Sequence, residues 1–266
     1  MERIVYKGKN IAYQVSGRGI PLVLLHGFCE DSRVWENFSE LINDCKTIQI
    51  DLPGFGQSDL AEQQSMEQMA ESVKFILDHL SIEKCILLGH SMGGYVNLAF
   101  AKKYEHRLLG LGLFHSHPYA DTEAGINNRN KSIQFIQRNN HILYIKQLIP
   151  KLFSHNYASD NNFLVNKLIH QSITYSSETI IQTLKAMRDR SDQSTILSKI
   201  SCPVLFIIGK KDNVISLERS LEQTYLPSVS VIEILPKVGH MGMYESPKKI
   251  AKKINNFVQF CNTFNQ

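Results

Sequence analysis

Hydrophobic and polar positions along the chain fall into two rhythms. Continuous apolar runs occur at Pro21-Leu22-Val23-Leu24-Leu25, Thr47-Ile48-Gln49-Ile50, Cys85-Ile86-Leu87-Leu88, Leu108 to Phe114 and Pro203 to Ile208. Strands buried on both faces require this composition. Between them, apolar residues recur every three or four positions over about 32–43, 65–80, 92–104 and 217–224, which predicts helices. Residues 2–7 and 10–16 alternate apolar and polar across Gly8-Lys9-Asn10 and read as an N-terminal hairpin. A strand at 229–235 and a closing helix from Ser246 complete the series. Strands alternating with helices predict an α/β architecture, a mostly parallel, doubly wound sheet of about eight strands.

The alternation breaks between Pro118 and Lys199. No strong strand is present there, and four amphipathic helices are expected at 125–139, 142–153, 161–172 and 177–190. The organisation predicted is one core, residues 1–117 and 200–266, split by a helical cap over 118–199.

Composition narrows the class of protein. The 266 residues suffice for a sizeable core, and 43% hydrophobic with 20% charged residues excludes disordered and fibrous classes. The net charge of +4 is spread out, with its densest groups at Lys248-Lys249 and Lys252-Lys253 on what reads as a solvated helix face. A basic stripe interleaved with stacking aromatics is missing, so no nucleic-acid partner is expected. No apolar run reaches membrane-spanning length, and the N-terminus runs directly into strand-like residues, so a cytoplasmic enzyme without a membrane partner is expected. Five cysteines, at 29, 45, 85, 202 and 261, have no metal-ligand spacing and read as reduced thiols.

The candidate chemistry centres on Gly89-His90-Ser91-Met92-Gly93-Gly94, between an apolar run and a helix. A turn sharp enough to join them brings the residues two before and two after Ser91 together, hence Gly89 and Gly93. It also presents the serine hydroxyl above the sheet edge, beside a helix N-terminus. A serine needs a base. His240, in Val238-Gly239-His240-Met241, follows a late strand, and Asp212, in Gly209-Lys210-Lys211-Asp212, follows the strand before it. Asp121 and Glu123 are the other carboxylates placed to serve as the acid. The pair His115/His117 invites a metal reading, but no adjoining ligand cluster supports it, and no cofactor or metal is expected.

The order Ser91, Asp212, His240, with Gly-x-Ser-x-Gly after a strand, resembles the α/β-hydrolase family, specifically a carboxylesterase-like serine hydrolase with a helical cap. Leu25-His26-Gly27-Phe28 is similar to that family's oxyanion loop, and Asp51-Leu52-Pro53-Gly54-Phe55-Gly56-Gln57-Ser58 to its loop after the fourth strand. The resemblance implies a catalytic triad of Ser91, Asp212 and His240 and an oxyanion hole formed by the backbone N–H groups of Phe28 and Met92. His117 and Tyr119 are expected in the substrate pocket. The activity implied is cleavage of a small to medium carboxylic ester through an acyl-enzyme. Carbon–carbon bond hydrolysis, cofactor-free haloperoxidase, thioesterase or acyltransferase chemistry, and ligand sensing without turnover, remain as alternatives. The sequence leaves the oligomeric state and the physiological substrate open.

Overall fold

The apolar runs form strands β1 (Glu2–Tyr6), β2 (Lys9–Gly17), β3 (Ile20–Leu25), β4 (Cys45–Ile50), β5 (Cys85–His90), β6 (Leu108–Phe114), β7 (Val204–Gly209) and β8 (Ser230–Leu235) in a computed structural model that describes residues 1–264. One sheet results, in the order β1-β2-β4-β3-β5-β6-β7-β8. The N-terminal hairpin joins antiparallel, β2 against β4, and every later pairing is parallel. This is the eight-stranded, mostly parallel sheet that the sequence predicts.

Helices α1 (Glu36–Ser39), α2 (Met66–His79) and α3 (Met92–Tyr104) lie between the early strands. The continuous helix expected over 32–43 is instead a 3-10 turn, Ser32–Trp35, followed by the single-turn α1. Asp31 caps that turn by accepting from Arg33 N at 3.0 Å, and Trp35 is fully buried. The apolar residues here anchor an irregular connection rather than one face of a long helix.

On β6, Gly110 and Leu113 face opposite sides of the sheet, as residues three apart in a strand must. A side chain at Gly110 would meet Cys261 and Phe257 of α12 (Pro247–Phe264), whereas Leu113 lies against Gly94 of α3. The two helices therefore cover opposite faces. In α12 the buried residues Ile250, Ala251, Ile254, Phe257, Val258 and Cys261 recur at helical spacing, which is how an amphipathic helix closes a sheet.

All of the chain between β6 and β7 with regular structure is helical: α4 (Glu123–Arg138), α5 (His141–Leu152), α6 (His155–Asp160), α7 (Asn162–Ser172), α8 (Ser177–Arg188) and α9 (Ser194–Lys199). The short α6 and α9 were not expected, since six residues are too few to show a period. Ile133, Ile136, Ile145, Ile149, Leu168 and Ile180 are buried, so the insertion's apolar stripes form part of the packed interior. After β7 come α10 (Leu217–Glu222) and α11 (Gly242–Glu245). Among the described residues, no helix is long and apolar enough to cross a membrane.

Candidate active site at the carboxyl ends of the strands

β5 ends at His90 and α3 begins at Met92, leaving Ser91 alone to make the turn, with φ 49° and ψ −112°. A non-glycine residue there carries roughly 1–3 kcal/mol of backbone strain. The turn is held from both sides: Ser91 N donates to Phe114 O at 2.9 Å, and Ser91 O accepts from Ser116 Oγ at 2.7 Å. A Cβ on Gly89 would lie 2.3 Å from the Gly93 carbonyl, and one on Gly93 would lie 2.6 Å from Leu25 O. Gly89 thus permits the turn itself, while Gly93 lets α3 approach the end of β3.

Asp212 lies just beyond β7 and His240 just beyond β8. Val214 N and Ile215 N donate to Asp212 Oδ1 at 2.7 and 3.0 Å, and His240 Nδ1 lies 2.7 Å from Oδ2. Opposite a carboxylate, Nδ1 must carry the proton, which leaves Nε2 as the acceptor nitrogen. Burial alone would raise the Asp212 carboxyl. The His240 imidazole, with help from His115 and the Ile215 N–H, outweighs it and holds the group well below the usual carboxylate range. Asp121, one of the two other candidate acids, is committed elsewhere: Arg129 and Arg190 both donate to its carboxylate.

The loop after β3 is fixed by its own polar groups. The His26 ring lies between Gly27 O at 2.7 Å and Leu52 N at 2.9 Å, so Nδ1 donates and Nε2 accepts. The Asp51 carboxylate accepts from Ser32 N and Gln57 N at 2.9 and 2.8 Å, the loop-stabilising role its position implies. Glu30 Oε2 accepts from Gly27 N at 2.8 Å. Among the described residues, no protein acceptor engages the backbone N–H groups of Phe28 or Met92. Cys29 is completely buried, and burial, with the Glu30 charge adding to it, pushes its thiol well above the ordinary value.

The insertion is bonded to both of these loops. Ser172 Oγ donates to Cys29 O at 2.7 Å, Tyr175 donates to Asp31, and His240 N donates to Leu152 O at 2.8 Å.

A cleft of about 280 Å³ opens between the insertion and the core. Its wall includes Tyr95, one helical turn beyond Ser91, and Ile215, three residues beyond Asp212. Tyr144 is also in the wall; burial, and the Cys29 thiol beside it, push its phenol upward. His117 lines the cleft together with Asn128 and Arg129. Burial, followed by the Arg190 and Arg219 charges, pushes His117 down to about 3, so it is neutral. Tyr119 lies outside this lining, stacked on His117 at 5.8 Å with the Arg219 guanidinium 4.1 Å from its ring centre. Polar side chains, Asp121, Asn128, Arg129 and Ser132 among them, form much of the wall. His115 is sealed away from the cleft at φ 48°, its Nδ1 3.5 Å from Asp212 Oδ2 and both ring nitrogens without a hydrogen bond. Burial holds it neutral. Among the described residues, no group of three or more His, Cys, Asp or Glu side chains is arranged to hold a metal.

A parallel sheet with a strained serine turn and a carboxylate–histidine pair at its carboxyl end defines a recognisable class. The alpha/beta hydrolase fold family matches residues 20–131. The dihydrolipoyllysine-residue acetyltransferase component of the acetoin cleaving system of Pseudomonas putida is 30% identical over 93% of this chain, which spans 66% of that protein. A putative 2-succinyl-6-hydroxy-2,4-cyclohexadiene-1-carboxylate synthase of Bacillus subtilis is 28% identical, covering 89% of each. Among solved structures, a thermophilic esterase from Thermogutta terrifontis with malate bound superposes with a TM-score of 0.92 at 27% identity, covering 98% of this chain and 99% of that one. The chain belongs to the α/β-hydrolase fold family. By fold and relatives it stands among the hydrolases of that family.

Sequence reasoning did not find the roles of Glu30, Arg129 and Tyr144. No periodicity or motif marks any of the three.

Proposed function

We propose that the chain is a serine hydrolase that cleaves small to medium carboxylic esters through an acyl-enzyme on Ser91. The observation that carries this reading is the 2.7 Å contact between His240 Nδ1 and Asp212 Oδ2, with Asp212 locked by two backbone N–H groups. Fixing the proton on Nδ1 makes Nε2 a base for the Ser91 hydroxyl. As Ser91 Oγ bonds to the acyl carbon, its proton passes to His240, and Asp212 stabilises the imidazolium that forms. The carbonyl oxygen gains negative charge and is received by the Phe28 and Met92 N–H groups, the latter at the N-terminus of α3. Collapse of the tetrahedral intermediate sends the proton from His240 to the departing alcohol. Water, activated by the same nitrogen, then releases the acid and regenerates Ser91.

Incubation with p-nitrophenyl acetate and butyrate tests this reading. Release of nitrophenolate by the parent, with only background release by Ser91→Ala and fluorophosphonate labelling of Ser91, is expected. Equal rates from both proteins would overturn it.

One observation favours a second reading of the substrate. Arg129 in the cleft wall and the buried Arg190 behind it share the single carboxylate of Asp121, which leaves an excess positive charge beside the cleft. That charge suits a substrate bearing its own carboxylate, cleaved at an ester or at a carbon–carbon bond by the same triad. A hemisuccinate ester turned over with a lower KM than its neutral methyl-ester counterpart would support this second reading.

A further inference from the structure

Directly behind the Asp212–His240 pair lies a second carboxylate–imidazole pair that the proposed mechanism leaves unused. His90 is fully buried and Glu30 nearly so. His90 Nδ1 lies 3.0 Å from Glu30 Oε2, and His90 Nε2 lies 2.8 Å from the backbone carbonyl oxygen of His240. A carboxylate and a peptide carbonyl are both acceptors, and a neutral imidazole has only one N–H to offer. With Glu30 ionised, only the imidazolium satisfies both contacts.

We propose that His90 is a buried imidazolium which, with Glu30, clasps the oxyanion loop to the catalytic-histidine loop and so positions both for the reaction. At one end Glu30 Oε2 also accepts from Gly27 N at 2.8 Å, immediately before Phe28. At the other end His90 holds the main chain of the residue proposed as the base. The chain of contacts runs from Gly27 N–H through the Glu30 carboxylate and the His90 ring to the His240 carbonyl, spanning loops that follow β3, β5 and β8. His90 also adjoins Ser91, so the clasp touches the nucleophile's turn as well.

The electrostatic surroundings agree with this assignment. Burial opposes charge on both groups. Even so, the Glu30 charge and hydrogen bond raise His90 above the ordinary histidine value, and the His90 charge and hydrogen bond lower Glu30 below the ordinary glutamate value. The other titratable groups facing the pair are Asp212, which favours the His90 charge, the rings of His240 at 4.9 Å and His115 at 6.2 Å, His26 beside Glu30, and the Cys29 thiol and Tyr244 phenol, whose ionisation the Glu30 charge opposes. His115 is neutral, so it does not compete for the proton. A clasp of this kind needs its charge: without the second proton, a ring lone pair would face either the Glu30 carboxylate or the lone pairs of the His240 carbonyl.

The positioning role rests on the serine-hydrolase reading, whereas the charge state does not, and the experiment separates them. Histidine labelled with ¹⁵N is followed by NMR in the parent, Glu30→Gln and His90→Gln proteins at mildly alkaline pH. The Glu30→Gln side chain keeps an oxygen for the Gly27 N–H while removing the charge. One ring with both nitrogens protonated is expected in the parent, absent from His90→Gln and reduced to a single proton in Glu30→Gln. A His90 ring with one proton in the parent overturns the assignment. Turnover of p-nitrophenyl acetate then reads the positioning role. Glu30→Gln should lower kcat by about 10–100-fold with KM little changed, and its alkaline limb should move to lower pH. Parental kcat with an unmoved alkaline limb overturns that role. Loss of Ser91-dependent turnover in the parent itself would point instead to failure of the hydrolase reading.

Discussion

Replacing Asp212 by asparagine isolates one proton. The side chain keeps its shape, and the structure dictates how the amide must sit. Oδ1 receives two backbone N–H groups, from Val214 at 2.7 Å and Ile215 at 3.0 Å, so the amide oxygen has to occupy that position. The NH₂ group is then forced to the Oδ2 position, 2.7 Å from His240 Nδ1. A donor there turns Nδ1 into an acceptor and drives the proton to Nε2, the nitrogen that takes the Ser91 proton in the proposed mechanism. The base is disabled by tautomer rather than by displacement. Loss of about 10⁴-fold in kcat, or about 5.5 kcal/mol of transition-state stabilisation, is expected. Because both amide contacts survive, the thermal midpoint at neutral pH should move by only a few degrees. Burst and steady-state hydrolysis of p-nitrophenyl acetate, with circular dichroism melts on the same samples, measure both quantities. Activity within about tenfold of the parent in a folded protein would refute the assignment of the acid.

Stability should also respond to pH through the same carboxylate. The folded value of Asp212 is depressed, so its contribution is present above the unfolded carboxylate range and is lost as pH falls through the folded value. Acid titration of the melting temperature should therefore be shallower in Asp212→Asn than in the parent. Gly89→Ala places a methyl group 2.3 Å from the Gly93 carbonyl and should cost more than about 3 kcal/mol, read as a loss of soluble folded protein or a sharply lowered midpoint. All five cysteines are buried, and burial holds Cys85 and Cys202 each at about 12. Native protein should thus react negligibly with a thiol reagent and keep its activity, whereas denatured protein should titrate five thiols. Within the ester series, the polar wall formed by Asn128, Arg129 and His117 favours acetate and butyrate over dodecanoate. A rate that rises with chain length would contradict that wall's role.

The strands were legible because burial on both faces leaves an uninterrupted apolar signature, and β3, β5 and β7 carry it most clearly. The turn at Ser91 was legible because it demands glycine at 89, a steric requirement written locally, whereas Gly93 answers to the distant end of β3. The pairing of Asp212 with His240 was legible from their place after successive strands, a consequence of parallel topology. The 32–43 segment misled because Val34, Trp35 and Phe38 have helical spacing while filling an irregular connection. Glu30 and His90 stand 60 positions apart, and no periodicity joins them. The lining of the cleft was hidden for another reason: apolar stripes on α4 and α5 show which side chains are buried, but not which polar ones converge on the opposite side.

The bonds from Ser172 to the Cys29 carbonyl and from the His240 N–H to the Leu152 carbonyl have a consequence for how this protein can change. A segment joined to the core only at its two ends is exchangeable, and new specificities can be grafted without disturbing the machinery beneath. Residues 123–199 are instead sewn to the scaffold at interior points, beside the loop after β3 and beside His240. A chimera carrying a foreign insertion should lose rate even toward substrates too small to touch it, unless the donor supplies a hydroxyl and a carbonyl at the same two places. Selectivity and turnover are inherited together here, and retuning one will draw the other along.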